Sequence, residues 1–313
     1  MKVGLDVMGG DFAPEATILG AIQAKKELHP EDELILIGDK DKIEEILSRE
    51  NTNGSEFTII HTPEVIEMGD HPAKAFSKKP NSSISVGFGL LKRGKIDGFA
   101  SAGNTGAMLV GVHYAIKTIP GIIRPAIATF IPTESDIPTL ILDVGLNPDS
   151  KPDVLYQYGI LGSVYAKGVW GIENPRVALI NIGSEESKGN LAVRSAYEMM
   201  AGSEHFNFVG NFEGNDLFSN EKADVIVCDG FVGNVVLKEG EAFYKLLRKR
   251  GIKDEYFERF NFENYGGSPI LGASSVVVIG HGISNAKAIK NMILHTRDMV
   301  EAGLADKISL ALT

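Results

Sequence analysis

The stretch IDGFASAGNTGAMLVGVHYAI (residues 96–116) decides the fold of this 313-residue chain. Residues 97–103 read as a short buried strand entering a turn, and residues 106–116 as the helix after it. Gly103-Asn104 punctuates the two. The same grammar returns in RVALINIGSEESKGN (176–190), FNFVGNFEGND (206–216) and DVIVCDGFVGNVVLK (224–238). These add the pairs Gly189-Asn190, Gly210-Asn211, Gly214-Asn215 and Gly233-Asn234. A β-branched or aromatic run, small polar residues and then a helical pattern is how the carboxyl edge of a parallel sheet reads. Glycine lets the backbone turn sharply and approach a ligand. The N–H groups that open the next helix favour an anion. One such pair is ordinary turn chemistry; five together point to a site for a small oxyanion.

Working outward, residues 2–7 (KVGLDV), 33–39 (ELILIGD) and 57–63 (FTIIHTP) are expected strands. Helices are expected over Glu15–Glu27, from residue 39 through Arg49, and over residues 81–94. Residues 125–132 and 138–145 read as two strands of a hairpin. Helices at Val154–Lys167, residues 190–202, Gly233–Arg250 and Asn285–Ala302 separate further strands at 176–183, 206–211, 223–230 and 274–282. This alternation predicts an α/β fold with a mainly parallel sheet, whose ligands bind beyond the carboxyl ends of the strands. No linker or fixed-period repeat interrupts residues 1–313.

Composition excludes several classes. A formal net charge of −10 argues against broad nucleic-acid binding. The one cysteine, Cys228, permits no internal disulfide and no thiolate-rich zinc site. It lies late in an apolar strand and reads as an inert core thiol. No apolar run reaches membrane-span length. The first residues, broken by Asp6 and Asp11, do not read as a secretion signal, and a cytoplasmic setting is expected.

There is no P-loop, no dinucleotide fingerprint, no G-x-S-x-G elbow and no H-E-x-x-H. His281, just after the strand in VVVIGHG, is the one histidine on the expected site edge. Asp6, Asp11, Asp143 and Asp229 stand at strand ends. Carboxylates there hold a divalent metal or tie down loops by accepting N–H bonds. No spacing specifies a metal, so the loop-tying role is expected, with no metal and no cofactor.

Nine segments in order resemble the bacterial PlsX-type phosphate acyltransferases of phospholipid synthesis. They are DVMGGDFAPE (6–15), MGDHPAKAFSKKPNSSI (68–84), ASAGNTGAM (100–108), LDVGLNPDSKPDVL (142–155), NIGSEESKGN (181–190), GNFEGNDLF (210–218), DGFVGNVVLKEGE (229–241), NYGGSPILG (264–272) and HGISNAKAI (281–289). The resemblance implies one phosphate acyltransferase domain spanning the chain, with a dimerisation subdomain within it. It implies a three-layer α/β/α sandwich related to phosphate acetyltransferases and isocitrate-dehydrogenase-like enzymes. It also implies a homodimer that moves a fatty acyl group from acyl carrier protein to inorganic phosphate. Two departures are visible: Leu146 stands where Ala is usual in the family, and Ser150 where Cys is common.

Such a reaction needs little from the protein. Phosphate is already ionised and a thiolate leaves readily, so positioning and oxyanion stabilisation remain. Lys188 is expected to supply positive charge to phosphate and Asn234 a neutral donor to the oxyanion. Ser101, Asn104 and Thr105, with nearby backbone N–H groups, are expected to cradle phosphate or oxyanion. Asp6, Gly9, Gly10, Gly103, Gly106, Asn147, Gly233 and His281 complete the expected substrate-binding set. The acyl chain needs an apolar groove, for which residues 107–116 and 127–131 are the candidates.

Arg248, Lys249, Arg250 and Lys253 form a basic cluster suited to an acidic carrier protein. Tyr256–Phe262 offers apolar residues for weak, reversible membrane contact. Two other readings stay open on the residues: an acetyltransferase-like enzyme using acyl-CoA, and a non-catalytic anion-binding regulator on the same scaffold.

Overall fold

A computed structural model describes residues 1–219 and 221–312. In chain order the elements are β1 (Lys2–Asp6), α1 (Glu15–Lys25), β2 (Glu33–Gly38), α2 (Lys40–Arg49), β3 (Thr58–His61), α3 (Pro72–Lys78), α4 (Ser83–Lys92), β4 (Gly98–Ser101) and α5 (Thr105–Gly111). Then come β5 (Ala126–Ile131), β6 (Thr139–Leu142), α6 (Pro152–Trp170), β7 (Arg176–Ile180), α7 (Leu191–Ala201), β8 (Asn207–Phe212) and β9 (Val225–Val227). The chain closes with α8 (Gly230–Lys249), α9 (Glu255–Glu258), β10 (Ser268–Leu271), β11 (Val276–Ile279), α10 (Ala286–Glu301) and α11 (Leu304–Ala311).

The elements group into two compact units. The first comprises Met1–Thr118, Phe262–Pro269 and Ala273–Glu301; the second comprises Ile119–Asn261, Ile270–Gly272 and Ala302–Thr313. Within the first, β3-β2-β1-β4-β11 run parallel, and Ser268 and Pro269 of β10 pair antiparallel with β11. Within the second, β6-β9-β7-β8 run parallel, and β5 pairs antiparallel with β6 as the expected hairpin. Ile270 and Leu271 of β10 pair antiparallel with β5. The expected α/β class holds: the sheet is mostly parallel, with helices on both sides.

Burial explains the register. In β1, Val3, Leu5 and the flanking Val7 are fully buried, as are Leu34, Leu36 and Ile37 of β2. Near-continuous apolar runs are what a parallel strand covered on both faces requires. In the second unit Ile141, Ala178, Phe212, Ile226 and Cys228 pack into one cluster. At about 25 cal/mol per Å2 of apolar surface removed from water, each large side chain there contributes about 1.5–3 kcal/mol.

Two Gly-Asn pairs depart from the turn reading. Gly210-Asn211 lies inside β8, where the pairing with β7 slips register between Val177 and Leu179. Gly233-Asn234 lies inside α8, which starts three residues before the expected boundary because Asp229 caps it and accepts from Val232 N at 2.8 Å. The helix expected over 106–116 is also shorter: the regular part ends at Gly111, and a wider turn covers residues 112–116.

Candidate functional site

Within each unit the parallel strands bring their carboxyl ends to one edge, and the expected residues fall into two groups, one described for each unit. In the first unit, β1 ends at Asp6 and β4 at Ser101. The fully buried Asp6 carboxylate accepts from Met8 N at 3.0 Å and from Ser101 Oγ at 2.7 Å. Burial pushes its carboxyl above the ordinary value, while hydrogen bonds from Ser83, Ser101, Met8 and Gly9 pull the other way. The Ser101 oxygen in turn accepts from Gly103 N at 3.0 Å. Gly9 is required by close approach: a Cβ there would lie 2.6 Å from Gly103 N. Gly10, at φ +109°, and Asp11 run beside the loop after β11, where Asp11 N donates to the Gly282 carbonyl at 2.7 Å. His281 in that loop is half-buried, its ring 4.7 Å from that of Phe262.

Asn104 caps α5, accepting from Ala107 N at 2.9 Å. Its amide nitrogen lies within hydrogen-bond distance of the carbonyls of Glu67 (3.0 Å), Met68 (3.2 Å) and Asp70 (3.1 Å). The side chains of Ser101 and Asn104 are therefore committed within the protein. The neighbouring Thr105 is exposed, its hydroxyl makes no hydrogen bond among the described residues, and Gly106 is half-buried. The loop held by Asn104 opens the segment 68–84, but none of its residues was among the expected site residues; its own brace is Asp70, paired with Lys79 at 2.6 Å.

In the second unit Asp143 directly follows β6 and is fully buried. It accepts from Ile127 N at 2.9 Å, Leu146 N at 3.1 Å and Asn147 N at 2.5 Å. Burial raises its pKa against those bonds. Asn147 is buried and donates to the Pro125 carbonyl at 2.7 Å. Asp143 and Asn147 thus fold the loop that delivers Gly145, at φ +117°, to Asn234: a Cβ on Gly145 would lie 3.0 Å from Asn234 Nδ2. Gly233 is fixed by packing, since a side chain there would overlap the Asp143 carbonyl. Asn234 is half-buried, and its side-chain amide makes no hydrogen bond among the described residues. Cys228 is buried, its thiol 3.3 Å from the Asp143 carbonyl and pushed well up in pKa by burial, as an inert core thiol should be.

Lys188 sits in the loop after β7, exposed, with its ammonium 3.9 Å from Glu185. At α8's far end Arg248 pairs with Glu258 at 2.6 Å, whereas Lys249, Arg250 and Lys253 are exposed and carry no ion pair among the described residues. The aromatic residues expected at a membrane are half-buried and engage one another: Tyr256 and Phe260 rings lie 5.7 Å apart, and Phe260 packs on Phe218 at 5.3 Å. Ile252, four residues before that segment, is an exposed apolar residue. Among the described residues no group of three or more His, Cys, Asp or Glu is arranged to hold a metal ion, and no helix is long and apolar enough to cross a membrane.

Comparison with known proteins places this architecture. A phosphotransacetylase from Streptococcus pyogenes superposes with a TM-score of 0.68 at 19% identity, over 96% of this chain and 94% of that one. At that identity the likeness speaks for the fold alone. A phosphate acyltransferase of Dictyoglomus turgidum is 43% identical over an alignment 328 positions long, gaps included, covering 98% of this chain and 96% of the relative. One from Heliobacterium modesticaldum is 44% identical, covering 96% of this chain and 94% of the relative. With the sequence profile of the fatty acid synthesis protein family matching residues 1–307, the chain belongs to that family.

Proposed function

We propose that this chain transfers a fatty acyl group from acyl carrier protein to inorganic phosphate, giving acyl phosphate for phospholipid synthesis. The observation that carries this reading is the full-length match to relatives called phosphate acyltransferase, at 43% identity. A phosphate oxygen attacks the thioester carbonyl carbon, the C–O bond forms and the C–S bond breaks. Hydrogen phosphate supplies the proton that the carrier thiolate takes up, so no covalent acyl-enzyme is needed.

Lys188 meets the phosphate charge as a compact cation. Asn234 donates to the oxyanion; its amide is uncommitted and gains no charge on donating. On the first unit Thr105, with its exposed hydroxyl, and the adjoining Gly106 are the candidates for contact with an anion. Asp6, Ser101, Asn104 and Asn147 act as positioning residues through the bonds described above, with Gly9, Gly10, Gly103 and Gly233 permitting the close approach. His281 contributes a half-buried donor. Lys249, Arg250 and Lys253 meet the acidic carrier protein. The working form is a cytoplasmic homodimer, with weak, reversible membrane contact through Ile252 and its flanking cations.

The test is incubation of purified protein with palmitoyl carrier protein and phosphate, with mass detection of palmitoyl phosphate. Turnover after metal stripping and without nucleotide is expected. The fold shared with phosphotransacetylases makes acetyl-CoA the donor to run alongside. Preference for acetyl-CoA would redirect the reading to a short-chain acetyltransferase, and no phosphate-dependent thioester loss with either donor would favour an anion-binding regulator.

A further inference from the structure

We infer that Asn181 and Asn211 are positioning residues that clamp the loop carrying Lys188 and hold its ammonium to no more than a long contact with Glu185. This rests on the assignment of Lys188 to phosphate. The loop runs from Gly183 to Gly189, and residues 184–188 are all exposed. A lysine on such a segment would ordinarily sample many positions. Its own loop also offers two carboxylates, Glu185 and Glu186, that would neutralise it.

The two asparagines stand on paired strands. Asn181 directly follows β7, its N–H donating to the Phe212 carbonyl at 2.8 Å, and Asn211 lies in β8 beside Leu179. Asn181 closes the loop across its base. Its Nδ2 donates to the Lys188 carbonyl at 3.1 Å, and its Oδ1 accepts from Ile182 N at 2.8 Å. Gly189 must be glycine for this to fit, because its φ is +89° and a Cβ would lie 2.6 Å from Asn181 Oδ1. Asn211 holds the loop's middle: its Nδ2 donates to the Glu185 carbonyl at 2.9 Å and reaches the Ser184 carbonyl at 3.5 Å. Tyr197 draws the Glu186 carboxylate aside through a hydrogen bond of 3.4 Å. With these tethers in place Lys188 Nζ stands 3.9 Å from Glu185, at the margin of an ion pair.

Asn211 Oδ1 is buried and accepts no hydrogen bond among the described residues. A buried acceptor left open disfavours the folded state. A residue serving packing alone would do better as an apolar side chain there. The asparagine is kept for what its nitrogen holds, the backbone beside Lys188.

The experiment measures kcat and KM for phosphate, with melting temperature, for Asn181→Ala, Asn211→Ala, Lys188→Ala and the doubles that combine each asparagine change with Lys188→Ala. Each asparagine change should lower kcat/KM for phosphate by roughly tenfold or more, as loss of positioning does. In the Lys188→Ala background neither should lower it further, since residues acting through one group are not additive. Additive losses, or asparagine variants with parent-like kinetics beside an inactive Lys188→Ala, overturn the clamp while leaving Lys188 in the site. A parent-like Lys188→Ala overturns the Lys188 assignment and the clamp with it. If Asn181→Ala fails to fold, Asn181→Asp serves in its place: it keeps the acceptor for Ile182 N, removes the donor to Lys188 and adds a negative charge, whose own effect is separated by repeating the kinetics at high salt.

Discussion

Ser101 donates its hydroxyl hydrogen to the Asp6 carboxylate at 2.7 Å with both side chains fully buried. The same oxygen takes the Gly103 N–H. One hydroxyl therefore joins the ends of two neighbouring parallel strands to the turn that opens α5. Ser101→Ala removes both bonds and leaves the buried carboxylate short of a donor. Stability should fall by about 1–3 kcal/mol, the cost of an unsatisfied buried polar group. Thermal unfolding checks this. An unchanged melting temperature with lost phosphate turnover would return Ser101 to direct substrate contact.

Replacing Lys188 or Asn234 by Ala should lower turnover by roughly a hundredfold, the scale of losing one oxyanion donor. Neither change should weaken the fold. Lys188 is exposed, and Asn234 lies within a helix without a side-chain hydrogen bond among the described residues, where Ala is the better helix former. Steady-state kinetics beside a thermal melt separate the outcomes. Near-normal turnover in either variant removes that residue from the site.

Most of the fold was legible because parallel strands covered on both faces announce themselves as apolar runs. The antiparallel hairpin of residues 125–145 was legible because two apolar runs stand close together in the sequence. At seven and eight residues α3 and α11 are too brief to stand out, and β10 is four residues including Pro269. The candidate site was legible as a sheet edge but not in its division of labour. Nothing local in Gly103-Asn104 tells that the Asn104 amide serves three carbonyls from residues 67–70, more than thirty positions earlier. In Gly233-Asn234, the cap at Asp229 moved the helix start and turned a presumed turn residue into a helical one. Asn181 was overlooked, and Asn211 was read only as the turn residue of Gly210-Asn211, for a related reason: each belongs to a strand pairing that only the folded chain reveals.

His295 makes stability depend on pH. Part of the residue is accessible, but its ring Nδ1 is shielded, and burial lowers the imidazole pKa from 6.5 to about 4, against the opposing pull of Asp298 and a hydrogen bond with the Gly267 backbone. Between those values the unfolded chain binds a proton that the folded chain does not. This contribution is complete above pH 6.5 and is lost as pH falls toward 4, to at most about 3 kcal/mol. Asp6 and Asp143 act in the opposite sense. Their carboxyls are raised in the fold, so their contribution falls as pH rises above the ordinary value of 3.8. Denaturant unfolding of parent and His295→Gln from pH 7 to 4.5 is the measurement. The variant should lose less stability over that range, and identical slopes would show that His295 titrates normally.

The basic end of α8 gives the last prediction, and the structure decides which residues to change. Arg248 is occupied by Glu258 and that glutamate also accepts from Tyr244 at 2.9 Å, so altering Arg248 disturbs a local network as well as a charge. Arg250 and Lys253 are exposed without ion pairs among the described residues, so their charges act outward. Reversing both to Glu should raise KM for acyl carrier protein while leaving kcat unchanged, because rim charges steer encounter rather than chemistry. The effect should be larger at about 10 mM salt than at about 150 mM, as the screening length shortens from about 30 Å to about 8 Å. Turnover with a small uncharged thioester donor should not change. A KM for carrier protein that is unaltered at low ionic strength removes this surface from docking, and an equal loss with the small donor would trace the effect to the fold instead.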